Sequence, residues 1–156
     1  MPLPHGTVAA IAMLVVAAAP RSAVEGLVTR PSTYSVDATL DRFEAAAKQR
    51  GFIVFARLDH AAAAKSVGLT MPRATVIVFG NPRVGTPVFL ETPTIAIDLP
   101  LKAMVWEDST GKVFLSYNSG KYLFDTIYPR HGAKADQVVA GKMEAALTAI
   151  ADEAVK

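Results

Sequence analysis

The chain has 156 residues, of which 51% are hydrophobic and 19% are charged, and its formal net charge is +2. This composition is typical of one globular domain and excludes a disordered, highly charged chain. The basic residues are interspersed with acidic ones, which argues against a nucleic-acid partner, and the absence of cysteine excludes disulfides, thiolate metal sites and cysteine nucleophiles.

The first 23 residues are predicted to form a signal peptide or an apolar leader. Residues 8–19 are an unbroken apolar run, shorter than the roughly 20 residues of a membrane span and similar to the hydrophobic region of a secretory signal. The segment before this run has no Lys or Arg, so the expected basic region is missing. We therefore expect a periplasmic or secreted protein with no stable membrane span after processing.

A single domain is predicted over residues 27–156, and it begins with a strand and a helix. Pro31 lacks a backbone N–H, which indicates that the first strand is an edge strand or is bulged. Ser35 or Asp37 then caps a helix whose apolar residues recur at helical spacing. Gly51 is the expected left-handed residue that ends this helix.

The middle of the chain is predicted as a strand at 52–59, a short helix at 60–66 capped by Asp59, and a strand at 73–79. A long proline-rich connection follows at 79–100, and we expect it to be an irregular but ordered crossover that packs on the domain. It carries apolar residues that favour burial: Val84, Val88, Phe89, Leu90, Ile95, Ile97 and Leu99.

The last third is predicted as two strands, at 101–107 and 112–117, joined by a turn that contains Gly111. An aromatic-rich segment, irregular or weakly helical, follows at 117–131. Residues 136–155 have apolar residues on one side and are predicted as the final helix.

The predicted order is β-α-β-α-β-β-β-α, with helices packed on one face of a mainly antiparallel sheet, which is the α+β class. The strand at 73–79 is apolar on both faces. One of these faces needs a cover other than the helices, either from the crossover or from a second subunit, so a homodimer is predicted.

Several segments resemble the domain-of-unknown-function 302 family of small bacterial proteins. They are FGNPRVGTP, PTIAIDLPLKAMVWED and GKVFLSYN, preceded by VTRPSTYSVDATLDRFEAAAKQRGFIVFARLDHAAAAKSVG. The similarity covers about residues 27–132. It implies a compact α+β fold, often seen as a dimer, and it brings no established activity.

Asp98 is the carboxylate of most interest, because it lies within the apolar segment IDLP. Paired with Lys102 or Arg83, it would be an ordinary structural ion pair or a loop-capping acceptor. Unpaired in a cleft, it would have a raised pKa and could act as a general base, with His60 as its acid–base partner and Lys102 stabilising an anion.

The ligand-binding candidates are residues at turns and strand ends. The two Gly-x-Pro steps could direct backbone N–H groups at an anion, although turn geometry alone also accounts for them. An aromatic patch near the final helix could line a pocket or belong to the core. The candidates are Asn81, Thr86, Asp98, Trp106 and Tyr117.

A metal site is the weakest of the alternatives. His60 and His131 could ligate copper in an exported protein, but the chain lacks closely spaced His or Met pairs. No cofactor is predicted, since the dinucleotide and serine-hydrolase motifs are absent.

We therefore favour an exported binding or interaction domain, with a small-molecule or protein partner, that is not an enzyme. The alternatives are an acid–base enzyme using Asp98 and His60, and a periplasmic metal-binding protein.

Overall fold

The computed structural model describes residues 25–156, which form a five-stranded antiparallel sheet in the order β1-β5-β4-β3-β2. The predicted α+β class with a mainly antiparallel sheet is confirmed. The predicted leader at residues 1–23 lies outside the described residues. The strands are β1 (Leu27–Pro31), β2 (Ile53–Asp59), β3 (Ala74–Gly80), β4 (Leu101–Glu107) and β5 (Val113–Asn118).

The helices pack on one side of the sheet and around both of its ends. Within residues 25–156, no helix has both the length and the apolar character needed to cross a bilayer. The helical elements are α1 (Val36–Gln49), α2 (His60–Ser66), α3 (Pro82–Glu91), a 3-10 helix (Pro93–Ile97), α4 (Gly120–Tyr122), a π-helical turn (Leu123–Ile127), α5 (Tyr128–Arg130) and α6 (Gln137–Val155).

The boundaries of α1 and α2 follow from local capping. The Ser35 hydroxyl accepts a hydrogen bond from the N–H of Ala38 at 3.3 Å, and Gly51 has a φ of +78° just beyond the end of α1. The Asp59 carboxylate accepts from the N–H of Ala62 at 3.0 Å. These interactions satisfy N–H groups that have no partner within the helix, as the sequence predicted.

The main core lies between the sheet and the helices α1 and α6. The ring of Phe43 on α1 meets Phe79 on β3 edge-on, with the ring centroids 5.0 Å apart. Leu115 on β5 and Ile150 on α6 are completely buried beside them. Each such side chain contributes about 1.5–3 kcal/mol through its burial, so this layer supplies most of the stability of the domain.

The crossover, residues 81–100, is more regular than the sequence indicated. The expected irregular link contains a ten-residue helix, α3, even though Pro87 lies inside it. Pro82 occupies the first turn, where its missing N–H costs nothing, and Asn81 caps the helix by accepting from the N–H of Arg83 at 3.0 Å. The half-buried side chains of Val88 and Phe89 pack against the buried residues around Ile95, which helps to offset the roughly 3 kcal/mol that an internal proline costs.

A second apolar cluster fixes the crossover to residues 120–130, which we call the aromatic helix and which comprises α4, the π-helical turn and α5. Ile95 is completely buried there against Leu123 and Phe124. Not every apolar residue of the crossover is buried as expected: Leu90 and Ile97 remain 79% and 77% exposed.

Within residues 25–156, no helix covers the face of the sheet opposite α1 and α6, and we call it the open face. Its central row runs across all five strands in the order Thr29, Ser116, Met104, Val76, Leu58, which are paired in register. The predicted second apolar face of β3 is therefore uncovered within the residues that the structure describes.

Candidate functional site

The crossover and the aromatic helix enclose a cleft at the end of the sheet where β3 stops and β4 starts. One part, the polar cavity, has a volume of about 230 Å³. An adjoining part, the apolar cavity, has a volume of about 70 Å³. Both are lined by Leu99, Leu101 and Leu123, so they are neighbouring compartments of one cleft.

The polar cavity carries charged, amide and aromatic side chains on an apolar base. Its polar lining consists of Asp98, Lys102, Tyr117, Asn118, Tyr122 and Arg130. The apolar cavity is lined by apolar side chains from β2 and the residue before it, from α3, from the aromatic helix and from α6. Among them are Phe52, Phe55, Val84, Phe89, Tyr128 and Met143. Ligand sites commonly combine a few convergent polar groups with an apolar lining in this way.

Asp98 is the centre of a network that ties the crossover to the end of the aromatic helix. His131 Nε2 lies 2.7 Å from Asp98 Oδ2, and Arg130 Nη1 donates to the same oxygen at 3.1 Å. The other ring nitrogen of His131 lies 3.1 Å from the hydroxyl of Thr94. The hydrogen bond from His131, supported by the charge of Arg130, holds the pKa of Asp98 below its usual value.

The sequence left two interpretations of Asp98, a paired structural carboxylate or an unpaired general base. This network agrees with the first. Its partners are Arg130 and His131, whereas the sequence suggested Lys102 or Arg83. The ammonium of Lys102 instead donates to the backbone carbonyls of Asp98 and Pro100, at 2.9 and 3.2 Å. A carboxylate with a lowered pKa is a weak base, so the geometry disfavours general-base chemistry at this position.

The structure does not bring His60 to Asp98. His60 begins α2 directly after Asp59, and Asp59 pairs with Thr75 near the start of β3. The cleft lies beyond the opposite end of β3, at Gly80. The proposed acid–base pair of Asp98 and His60 is therefore wrong, because the length of β3 separates the two side chains.

The metal alternative combined His60 with His131, and these two residues are also separated by the length of β3. His131 is in the cleft, bound to Asp98, while His60 is at the far end of the sheet. Among residues 25–156, no three His, Asp or Glu side chains are grouped closely enough to hold a metal ion.

The remaining ligand candidates divide between the cleft and other surfaces. Asn81 caps α3 and lines the apolar cavity. Thr86 is exposed on α3 and Trp106 lies on the open face, so neither lines the cleft. Gly85 and Thr86 are inside α3, so their expected turn, with its backbone groups free for an anion, is absent.

Tyr117 lines the polar cavity from β5 and is only 3% exposed. Its hydroxyl is buried and makes no hydrogen bond within the described part of the chain. Burial raises the pKa of Tyr117, and the nearby charge of Arg30 partly opposes this. The aromatic patch predicted from the sequence thus contributes to both a cavity and the core. Tyr117 lines the polar cavity, and the rings of Phe124 and Tyr128 stack in the second cluster with their centroids 4.5 Å apart.

Sequence reasoning missed Arg130 and Thr94 as members of the site. The sequence suggested His131 only as a metal ligand, and its neighbour Arg130 was not among the candidates. Arg130 lies 32 residues along the chain from its partner Asp98. No local pattern links positions so distant, although the run of aromatic residues before Arg130 was a usable indication of a cavity wall.

Comparison with known families identifies the family and the fold of the chain. The model of DUF302, the domain of unknown function 302, matches residues 28–153. The chain belongs to the DUF302 family. A crystal structure of a conserved DUF302 protein from Bacillus stearothermophilus superposes with a TM-score of 0.70 at 20% identity, covering 85% of this chain and all of the other. This similarity confirms the DUF302 fold.

Three relatives of greater length match part of this chain. They are named fluoride-specific ion channels and come from Brucella suis, Brucella abortus and Brucella melitensis. Each is 47% identical to this chain over 98 residues. That segment is 63% of this chain, but the chain spans only 36–39% of the length of the three relatives.

Proposed function

We propose that this DUF302 protein is a non-catalytic binding domain whose ligand is a small molecule with an anionic group and a short apolar part. The observation that supports this most directly is the pair of adjoining cavities at the end of the sheet, one polar and one apolar. Their volumes of about 230 and 70 Å³ together only reach the lower limit of the roughly 300–1,000 Å³ typical of ligand sites, which indicates a small ligand.

The charges around the polar cavity favour an anion. Lys102 and Arg130 are both in its lining, and Asp98 is the carboxylate there. Since Asp98 already accepts hydrogen bonds from Arg130 and His131, its charge is largely compensated. A ligand carboxylate or phosphate would then meet an excess of positive charge, and Arg130 offers the planar donor set that such groups prefer.

Straight-chain carboxylates from acetate to octanoate test this proposal, with the alcohols of equal length as uncharged controls. A ligand that binds only the native state raises the melting temperature by mass action. We expect the carboxylates to raise it and the alcohols not to, with a maximum at the chain length that fills the apolar cavity. Equal shifts from acids and alcohols, or no shift from any of them, would contradict the proposal.

Variants of Arg130 connect any binding to the cleft. Arg130→Gln should weaken carboxylate binding about tenfold or more, because a hydrogen bond to a charged group contributes about 1.5–3 kcal/mol. Arg130→Lys should retain part of the affinity. Arg83→Gln is the matched control, since Arg83 is an exposed arginine of α3 that lines neither cavity. Isothermal titration calorimetry on the three variants measures these differences.

A second candidate function is suggested by the relatives named as fluoride-specific ion channels. In this view the DUF302 domain works together with a fluoride channel and senses the same ion in its positively charged cleft. Sodium fluoride should then raise the melting temperature more than sodium chloride at equal ionic strength, and Arg130→Gln should remove the difference. Identical shifts from the two salts would exclude this role.

Export and dimerisation are part of the proposal. The apolar run at residues 8–19 supports export, which the mass of the protein in a periplasmic extract tests: cytosolic protein that retains Met1 would contradict it. The apolar open face supports a homodimer, whose mass light scattering measures directly.

A further inference from the structure

We propose that the cleft takes up its anionic ligand together with one proton, which His131 accepts. The ligand replaces Asp98 as the partner of Arg130, and the protonated imidazole of His131 then balances the charge of Asp98. This inference rests on the proposed binding function and adds to it that the affinity for an anion rises as the pH falls from 8 to 6.

Two basic side chains share the carboxylate of Asp98, but they bind it differently. His131 Nε2 lies 2.7 Å from Oδ2, whereas Arg130 Nη1 lies 3.1 and 3.4 Å from the two carboxylate oxygens. The side chain of His131 is 8% exposed and that of Arg130 is 63% exposed. The arginine is therefore the partner that a ligand can reach and bind in place of Asp98, while the histidine stays where it is.

Loss of Arg130 changes the charge balance at Asp98. Arg130 lines the polar cavity, so an anion there competes with Asp98 for the same guanidinium. A neutral imidazole donates one hydrogen bond to the carboxylate but carries no charge to offset it. An imidazolium donates the same hydrogen bond and also cancels the charge, so the complex with an anion favours the protonated form of His131.

The hydroxyl of Thr94 allows His131 to change its protonation state without moving. This hydroxyl lies 3.1 Å from Nδ1, the ring nitrogen that does not contact Asp98. When the imidazole is neutral and its proton is on Nε2, Nδ1 accepts a hydrogen bond from the hydroxyl. When the ring is protonated, Nδ1 donates and the hydroxyl oxygen accepts. A rotation of the hydroxyl therefore gives both ring nitrogens a partner in either state.

The other titratable groups around His131 keep their charge between pH 6 and pH 8. The polar cavity and its network contribute Asp98, Lys102, Tyr117, Tyr122 and Arg130. The pKa of Asp98 is lowered by its bond with His131 and by the charges of Arg130 and Lys102, so this carboxylate stays ionised. Lysine, arginine and tyrosine ordinarily titrate well above this range, and histidine titrates within it, near pH 6.5. A change of affinity over this range therefore reports on the imidazole.

The test measures how tightly the full chain binds carboxylates of the acetate-to-octanoate series at pH 6, 7 and 8. Carboxylates are suitable probes because they keep their charge over this range, whereas phosphate does not. We expect binding about tenfold tighter at pH 6 than at pH 8, which is a typical coupling between two ligands of one site. Isothermal titration calorimetry at pH 7 in buffers of different ionisation enthalpy should show net proton uptake on binding.

Two substitutions should remove the pH dependence at opposite levels of affinity. His131→Gln keeps an amide that can donate to Asp98 but takes up no proton, so it should bind a carboxylate at every pH about as weakly as the wild type does at pH 8. Asp98→Asn removes the charge that the proton balances, so it should bind at every pH about as tightly as the wild type does at pH 6. A merely structural role of the network would instead weaken binding in both variants.

Variants of Thr94 and His60 are the matched controls. Thr94→Ser keeps the hydroxyl and should keep the pH dependence, whereas Thr94→Val removes the acceptor for the proton on Nδ1 and should reduce it. His60→Gln changes the other histidine of residues 25–156, which is exposed at the start of α2, and should bind as the wild type does at each pH.

The possible results separate this inference from the binding function on which it rests. Carboxylate binding of equal affinity at pH 6 and pH 8, or without proton uptake, would overturn the inference and leave the binding function standing. A His131→Gln variant with the pH dependence of the wild type would also overturn it. If no carboxylate of the series binds at any of the three pH values, the binding function and the inference both fail.

Discussion

The main core and the second apolar cluster both consist of buried, mainly apolar side chains, but they are built differently. The main core joins long regular elements, β3 and β5 with α1 and α6, through side chains such as Phe43 and Phe79. The second cluster holds short helical pieces and the crossover around Ile95, and it borders the cleft. A layer of long elements supplies stability, whereas a cluster of short ones positions a site that can adjust to a ligand.

The largest expected effect is on the main core. Phe43→Ala should lower the free energy of unfolding by about 3–5 kcal/mol, because it removes a buried ring and leaves a cavity between α1 and β3. Urea denaturation followed by circular dichroism measures the loss. A cost below about 1 kcal/mol would show that this layer can collapse around the vacancy and is not the rigid part of the molecule.

Ile95→Ala should cost less, toward the lower end of the roughly 2–5 kcal/mol seen for buried isoleucine, since the neighbouring short helices can relax. We expect hydrogen exchange to accelerate in the crossover and the aromatic helix while protection in β3 and β5 is maintained. Uniform acceleration throughout the sheet would instead mean that the two clusters unfold as one unit.

Asp98→Asn tests how the second cluster responds to pH. The folded pKa of Asp98 is lowered, so its ionised form stabilises the fold above the unfolded pKa of about 3.9, and this contribution is lost as the pH falls through the folded value. The wild type should therefore lose more stability than the variant between pH 5 and pH 2. Parallel pH profiles of the two proteins, from thermal denaturation, would exclude a role for this carboxylate.

The smallest effect is expected at an exposed ion pair beside the main core. Arg73 bonds Asp37 at the start of α1, and both side chains are largely solvated. Arg73→Gln should change the free energy of unfolding by less than about 1 kcal/mol, because solvent screens such pairs. A larger loss in urea titrations would show that the link between β3 and α1 carries more of the main core's stability than burial indicates.

The sequence predicted the main core better than the second cluster for a physical reason. The limits of α1 depend on local signals, namely the capping hydroxyl of Ser35 and the left-handed Gly51. Helix α3 contradicts its local preferences at Gly85 and Pro87, and it forms because the surrounding structure packs against it. Periodicity and capping cannot reveal a helix of that kind.

The candidate site also depends on contacts between distant residues, which local sequence patterns do not reveal. Asp98 was identified from its apolar neighbours in the sequence, but its partner His131 lies 33 residues away. Of the residues predicted to bind a ligand, Asn81 and Tyr117 line the cleft, whereas Trp106 belongs to the other face of the sheet. Assigning a strand residue to a face requires the register, which only the paired strands define.

The two outermost strands of the sheet limit how this protein can polymerise. Pro31 removes the last donor of β1, and the register shift between Val54 and Ala56 interrupts the regular ladder of β2. A foreign strand would find few consecutive backbone groups to pair with at either margin. We therefore expect the molecule to present its broad apolar surface without growing into fibrils.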